Sequence, residues 1–101
     1  MKTFVMLRRP GAGWVIGKTT REQPLWDEHA AFMDALFETG AVVLAGPYAD
    51  HNGALLILTA EDTAAAIALF KDDPWTIHDI LGVDGAREWL IYLDSREQPT
   101  G

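Results

Sequence analysis

The histidine at position 29 has the chemistry of an acid–base catalyst and lies in an unexpected place. It belongs to the stretch WDEHAAFMDALFE, residues 26–38, whose spacing predicts a helix. In that helix His29 falls three and four residues before Phe32 and Met33, on the apolar stripe. Such a ring is either a structural histidine with satisfied nitrogens, or a general acid or base oriented by a carboxylate. The spacing leaves both interpretations open.

Asp73 is the candidate carboxylate. It precedes Pro74 in the stretch DDPW, and an aspartate before a proline is a common start of a helix. Asp73 is therefore expected either to cap a short helix or to orient His29.

A second candidate site is the loop AGPYADHNG, residues 45–53. Its glycines, Gly46 and Gly53, permit close backbone approach, and between them the loop presents Asp50, His51 and Asn52. The alternative is a hairpin loop with ordinary turn residues. His29, His51 and His78 lack the spacing of metal ligands, and no dinucleotide, P-loop or GxSxG motif occurs, so we predict no metal and no cofactor.

Charge is distributed unevenly along the 101 residues. The net charge is −7, but residues 1–21 carry five basic and no acidic side chains, while the remainder has three basic against fifteen acidic ones. The overall sign argues against nucleic-acid binding. The basic segment predicts a small anionic ligand, bound by Arg8 or Arg21, unless these side chains pair with the acidic remainder.

The sequence predicts a cytoplasmic protein that does not contact a membrane. There is no cysteine, which excludes disulfides and thiolate chemistry. The apolar run in the first residues, MKTFVMLRRP, is too short for the hydrophobic region of a signal peptide. No apolar segment is long enough to span a membrane.

Hydrophobic patterns predict the element order β-α-β-β-α-β in one domain, residues 1–95, followed by a polar tail, 96–101. The expected strands are 3–8, 41–45, 54–58 and 87–93, and the expected helices are 26–38, 60–71 and one or two turns within 74–81. Thr59 with Asp62 resembles a capping pair, and Ala64, Ile67 and Phe70 are expected to face inward. Residues 9–24 form a long loop insertion, or a small hairpin around Val15 and Ile16. The element order β-α-β-β-α-β is that of the α+β, ferredoxin-like fold, which has an antiparallel sheet.

The predicted first and last strands are apolar on both faces. Phe4 and Met6 alternate with Val5 and Leu7, and the segment 89–93 shows the same pattern. Because two helices cover only one face, we predict a homodimer packed sheet to sheet.

The ordered set of residues resembles the YCII-related family. The resemblance rests on His29, Phe32, Leu36 and Gly40, the AGP of residues 45–47, Asp50, Gly53 before a strand, and Asp73 with Pro74. It implies a dimeric α/β barrel built from ferredoxin-like protomers.

The resemblance also implies a site in which His29 and Asp73 meet in a cleft. Relatives suggest cofactor-independent isomerisation, elimination or lactone chemistry on small, often aromatic, compounds. The residues expected to bind the substrate are Arg8, Arg21, Gly46, Pro47, Asp50 and Trp75, with a wall from Trp14 and Lys18 in the insertion. The alternative is a non-catalytic dimeric module that binds a metabolite or a protein.

Overall fold

A computed structural model describes residues 1–96 of the chain. The elements are β1 (Lys2–Pro10), a 3₁₀ helix (Thr20–Glu22), α1 (Trp26–Glu38), β2 (Val42–Pro47), β3 (Ala54–Ala60), α2 (Thr63–Ala68), α3 (Pro74–Ile77) and β4 (Leu81–Glu88). Within residues 1–96, no helix has the length and apolar character needed to cross a membrane.

The four strands form one open antiparallel sheet in the order β2-β3-β1-β4. The first and third strands occupy the centre, and the second and fourth form the edges, as in a ferredoxin-like fold. The predicted α+β, ferredoxin-like fold is therefore confirmed.

The hydrophobic core lies between the sheet and the helices. Phe4 and Met6 of β1 pack with Leu56 and Leu58 of β3. Phe70, which follows α2 in the chain, belongs to the same buried cluster. Residues of opposite parity face away from the helices, and Leu7 and Leu55 remain 42% and 39% exposed. The prediction that β1 is apolar on both faces is confirmed, and no element among the described residues covers the second face.

The second helix begins later than predicted. Asp62 is its N-cap and accepts a hydrogen bond from the Ala65 backbone N–H at 2.8 Å, whereas Thr59 belongs to β3. The expectation that Ala64 and Ile67 face inward is wrong, because both are exposed, whereas Phe70 is buried as expected. The buried stripe runs through Ala66 and Phe70, four residues apart, and Ile67 lies about 100° around the helix from Ala66.

The last strand is displaced from its predicted position at 87–93. It pairs with β1 from Leu81 opposite Pro10 to Glu88 opposite Phe4, and the Trp89 N–H donates the final bond to the Thr3 carbonyl at 2.9 Å. In this register Leu90 lies opposite Lys2, where β1 begins, and only Met1 lies beyond it. Within the described part of the chain, the C-terminal arm, residues 90–94, makes no backbone hydrogen bond to the sheet of its own protomer.

A glycine within β4 explains why the sequence did not predict this strand at its observed position. Gly85 has φ 86° and lies where the register between β1 and β4 shifts, in a stretch, VDGA, that resembles a turn. The bulge lets β4 continue through residues that would otherwise end it.

The insertion is shorter and better fixed than the predicted loop 9–24. Arg9 and Pro10 belong to β1, a 3₁₀ helix occupies Thr20–Glu22, and no hairpin forms at Val15. The buried Gln23 side chain accepts from the Val15 N–H at 2.7 Å and donates to the carbonyls of Val15 and Lys18 at 2.9 and 3.1 Å. These three hydrogen bonds hold the backbone of the insertion in place between Val15 and Gln23. Apart from Arg96, the predicted tail 96–101 lies outside the described residues.

Candidate active site

His29 and Asp73 meet in the interior of the protein. His29 lies in the first turns of α1 and Asp73 directly precedes α3. The His29 Nδ1 atom is 2.9 and 3.0 Å from the two carboxylate oxygens of Asp73. Asp73 also caps α3, because its Oδ1 accepts from the Trp75 backbone N–H at 3.0 Å. Both roles considered for Asp73 from the sequence are fulfilled by the same carboxylate.

Arg8 is the second partner of Asp73. It projects from the helix-facing side of β1, and one terminal guanidinium nitrogen donates to Asp73 Oδ2 at 2.6 Å. The other donates to Thr76 Oγ1 at 2.7 Å and to the Leu81 carbonyl at 2.8 Å. Arg8 is 2% exposed and Asp73 fully buried, so each supplies the countercharge that the other requires.

The electrostatics of this cluster favour an ionised carboxylate. Burial by itself raises the pKa of Asp73, but hydrogen bonds from His29 and Arg8 and the Trp75 N–H outweigh it and hold that pKa below its usual value. Burial lowers the pKa of Arg8, and Asp73 counteracts this shift. An ionised carboxylate can only accept hydrogen bonds, so the neutral His29 ring carries its proton on Nδ1 and a lone pair on Nε2.

An aromatic platform fixes the plane of the His29 ring. Trp75 stacks on it, with 3.8 Å between ring centroids and 4° between the planes, and Trp26 lies 5.9 Å away. The Trp75 indole N–H donates to the Pro24 carbonyl at 2.7 Å. The next residue, Leu25, has φ 61°, an uncommon conformation for a non-glycine residue that the packing around the start of α1 maintains.

The imidazole borders a cavity of about 180 Å³ between α1 and the sheet. The lining is mainly apolar, with Trp14, Trp26, Met33, Leu56 and Trp75 among its residues. Within residues 1–96, Nε2 of His29 has no hydrogen-bond partner in the protein. A histidine that lines a cavity and has one nitrogen without a protein partner has the composition that a general base requires.

The family model for the YCII-related domain matches residues 3–85. The chain belongs to the YCII-related family. The family assignment made from the ordered motif set is therefore confirmed. No curated protein was found to match the chain.

The remaining predicted site residues of this YCII-related chain fall in two groups. Gly46, Pro47 and Trp75 line the cavity, and Arg8 borders it with its charge engaged by Asp73. Arg21 is exposed and lies over the Trp26 ring, with its guanidinium carbon 5.9 Å from the ring centroid. Asp50 lies outside the cavity and accepts from the Asn52 N–H at 2.9 Å.

Sequence analysis missed the contact between Thr20 and His51. Thr20 is buried, lines the cavity, and places its Oγ1 2.9 Å from His51 Nδ1. This contact joins the insertion to the β2–β3 loop of the YCII-related fold. No spacing in the sequence links positions 20 and 51, although the long insertion signalled that an additional wall was present. Among residues 1–96, no three histidine, aspartate or glutamate side chains are grouped to hold a metal ion.

Proposed function

We propose that this protein is a small-molecule enzyme in which His29 acts as a general base through Nε2. One observation carries the proposal: a buried carboxylate holds Nδ1 of His29, a residue that lines a mainly apolar cavity, while Nε2 has no partner among the described residues. Within the described residues Nδ1 of His29 has a protein partner and Nε2 has none. The free nitrogen is what distinguishes a site for proton transfer from a packing residue.

The proposed chemistry is the transfer of a proton from carbon. His29 Nε2 removes a proton next to a carbonyl group, and the electron pair of the broken C–H bond forms an enolate. The resulting imidazolium is stabilised by Asp73 through the Nδ1–H bond. Return of the proton to a different carbon completes an isomerisation, and departure of a leaving group completes an elimination. Neither route requires an added oxidant or reductant.

The dimensions of the cavity define the class of substrate. Its volume equals roughly that of six liquid water molecules at about 30 Å³ each, which suits a single ring with few substituents. The indole walls favour a planar aromatic or lactone-like compound. Because the charge of Arg8 is neutralised by Asp73, we assign contact with any anionic group to Arg21, beside the Trp26 wall.

Deuterium exchange tests the proposal for any substrate that loses a proton from carbon, whatever product it forms. The protein would be incubated in D₂O with a panel of small lactones and aromatic keto acids, and incorporation of deuterium at carbon measured by mass spectrometry. We expect exchange of at least one compound with the natural chain and none above background with His29→Asn. His78→Asn is the matched control, because His78 is exposed and does not line the cavity. Equal exchange by the natural chain and His29→Asn, or no exchange with any compound, contradicts the proposal.

A second candidate function is a non-catalytic binding module. The observation that favours it is the use of Asp73 as the N-cap of α3, because the same carboxylate then fastens α1 to α3 through His29. In that case the natural chain exchanges no compound, and His29→Asn lowers the stability of the fold. The exchange assay and a thermal melt of the same variant therefore separate the two functions.

We also propose that two copies associate through the face of the sheet that the helices leave uncovered. Val5 and Leu7 of β1 lie beside Ile57 and Leu55 of β3 on this face, with Leu44 of β2 next to them. Three of these side chains are more than a third exposed, which makes a contiguous apolar patch. Light scattering after size-exclusion chromatography should report a dimer that Leu55→Glu weakens, and a monomer for the natural chain would contradict it.

A further inference from the structure

A second space, the outer recess, lies against the cavity beside His29. Its volume is about 650 Å³, and its lining comes from the segment 10–19 together with Asp50, His51 and Asn52 of the β2–β3 loop. This volume falls within the range of roughly 300–1,000 Å³ that is usual for small-molecule sites. Polar side chains form much of the lining, whereas the cavity is mainly apolar. The outer recess therefore suits a different chemical group from the planar ring assigned to the cavity.

The outer recess and the cavity share a wall. Trp14 lines both spaces, and an edge-to-face contact with Trp75, with 6.0 Å between ring centroids, holds its indole. Thr20 of the cavity and His51 of the outer recess are 2.9 Å apart, from Oγ1 to Nδ1. At these two places a single indole or a hydrogen-bonded pair of side chains separates the two spaces. One ligand of moderate length can therefore occupy both.

Hydrogen bonds hold both sides of the outer recess in place. On the insertion side, Asp79 accepts from the Ala12 N–H at 3.0 Å through Oδ2 and from the Gly13 N–H at 2.8 Å through its carbonyl. On the loop side, the backbone N–H and the hydroxyl of Thr20 both contact His51 Nδ1. Because its walls are fixed in this way, a ligand does not have to order them when it binds.

The polar groups of the outer recess balance in charge. Lys18 and Asp50 carry opposite charges, and neither belongs to an ion pair among residues 1–96. A backbone N–H can only donate, so the bond from Thr20 makes Nδ1 of a neutral His51 ring the acceptor and leaves the ring proton on Nε2. Asn52 adds an amide that both donates and accepts. Such a lining fits a neutral group that also donates and accepts.

We infer that the outer recess binds a neutral hydroxylated group, a sugar ring or a polyol chain, of the same ligand whose planar ring occupies the cavity. Each hydroxyl both donates and accepts, so hydroxyls serve Lys18, Asp50 and Asn52 alike. The indole of Trp14 offers an apolar surface to the C–H groups of the same ligand. The choice of a hydroxylated group rests on the outer recess itself, whereas joint occupation of the cavity rests on the proposed function.

Chemical-shift mapping with defined probes tests the inference. The ¹⁵N-enriched protein would be titrated with sorbitol and the methyl glycosides of glucose, galactose and mannose, and with acetate and ethylamine as singly charged probes. We expect at least one hydroxylated probe to shift the Asn52 backbone amide and the Trp14 indole N–H at concentrations where neither charged probe does. No shift with any hydroxylated probe, or an equal or larger shift with acetate or ethylamine, overturns the inference.

Phenyl glycosides test the link between the two spaces. They should bind about tenfold tighter than the methyl glycosides and also shift Met33 and Leu56, because their phenyl group enters the cavity. Asn52→Ala should weaken this binding about threefold and leave the binding of phenol unchanged. Glu61→Ala is the matched control, since Glu61 is exposed and lines neither space.

The outcomes of these experiments separate this inference from the proposed function. Equal affinity of the Asn52→Ala and Glu61→Ala variants for the phenyl glycosides contradicts the outer recess as a site for hydroxylated groups. Deuterium exchange of small ring compounds needs only the cavity, so it continues to report on His29. Exchange that Asn52→Ala leaves intact, without binding of any glycoside, would overturn this inference alone. Glycoside binding without exchange of any compound would overturn the proposed function alone.

Discussion

The imidazole of His29 and the indole of Trp75 lie face to face, with 3.8 Å between centroids and 4° between planes. Trp75 is completely buried and is held in turn by its bond to the Pro24 carbonyl. The stack fixes the plane of the histidine ring, and the hydrogen bond to Asp73 fixes Nδ1 as the nitrogen that faces the carboxylate. Together the two contacts fix the orientation of a ring that lines the cavity.

The tautomer of His29 is the first prediction. Because Asp73 accepts from Nδ1, long-range ¹H–¹⁵N NMR of the neutral ring should show Nδ1 protonated and Nε2 unprotonated. Asp73→Asn should remove this preference, since an amide can both donate and accept. The exposed His78 serves as the internal reference. An Nε2-protonated ring in the natural chain would rule out the proposed base.

Loss of the Asp73 charge should strongly destabilise the fold. Asp73→Asn leaves Arg8 buried without its countercharge, and removing one member of a buried ion pair costs about 3–5 kcal/mol. Urea denaturation measures the free energy of unfolding. Asp72→Asn is the matched control on the neighbouring exposed residue, where a change within about 0.5 kcal/mol is expected. Similar effects of the two substitutions would show that the buried pair contributes little.

The stability of the protein should depend on the ionisation of Asp73 in acid. The pKa of Asp73 in the folded protein lies below the value of about 3.9 expected in the unfolded chain. The unfolded state therefore binds more protons in this range, and stability falls as the pH falls. The contribution is fully present above about pH 5 and is lost as the pH passes down through the folded-state pKa. In Asp73→Asn the corresponding part of the slope should be absent from unfolding curves measured between pH 5 and pH 2.

Gln23 should determine the rigidity of the insertion. Its side chain makes three hydrogen bonds to backbone atoms of residues 15 and 18 while buried. Gln23→Ala leaves these groups without partners, at a cost of about 1–3 kcal/mol in the free energy of unfolding. Limited proteolysis within residues 11–19 should also accelerate. Lys18→Ala is the control, because the Lys18 side chain is exposed and only its carbonyl takes part.

Local sequence determined the elements that carry the site. The apolar spacing of α1 placed His29 on its inner stripe, and Asp73 before Pro74 specified the start of α3. The run of apolar residues in β1 gave this strand two apolar faces, although it did not tell which of them the helices cover. These features depend on neighbours a few positions apart, so the order of residues is enough to reveal them.

Tertiary structure decided the contacts that join distant segments. His29 and Asp73 become partners only when α1 and α3 pack on the same face of the sheet, and Arg8 becomes the countercharge of Asp73 only because β1 lies beneath them. The position of β4 at Leu81–Glu88 was likewise set by its pairing with β1, rather than by the apolar pattern of the arm. Composition predicts which residues tend to form a strand, but a strand extends only as far as a neighbouring backbone can bond to it.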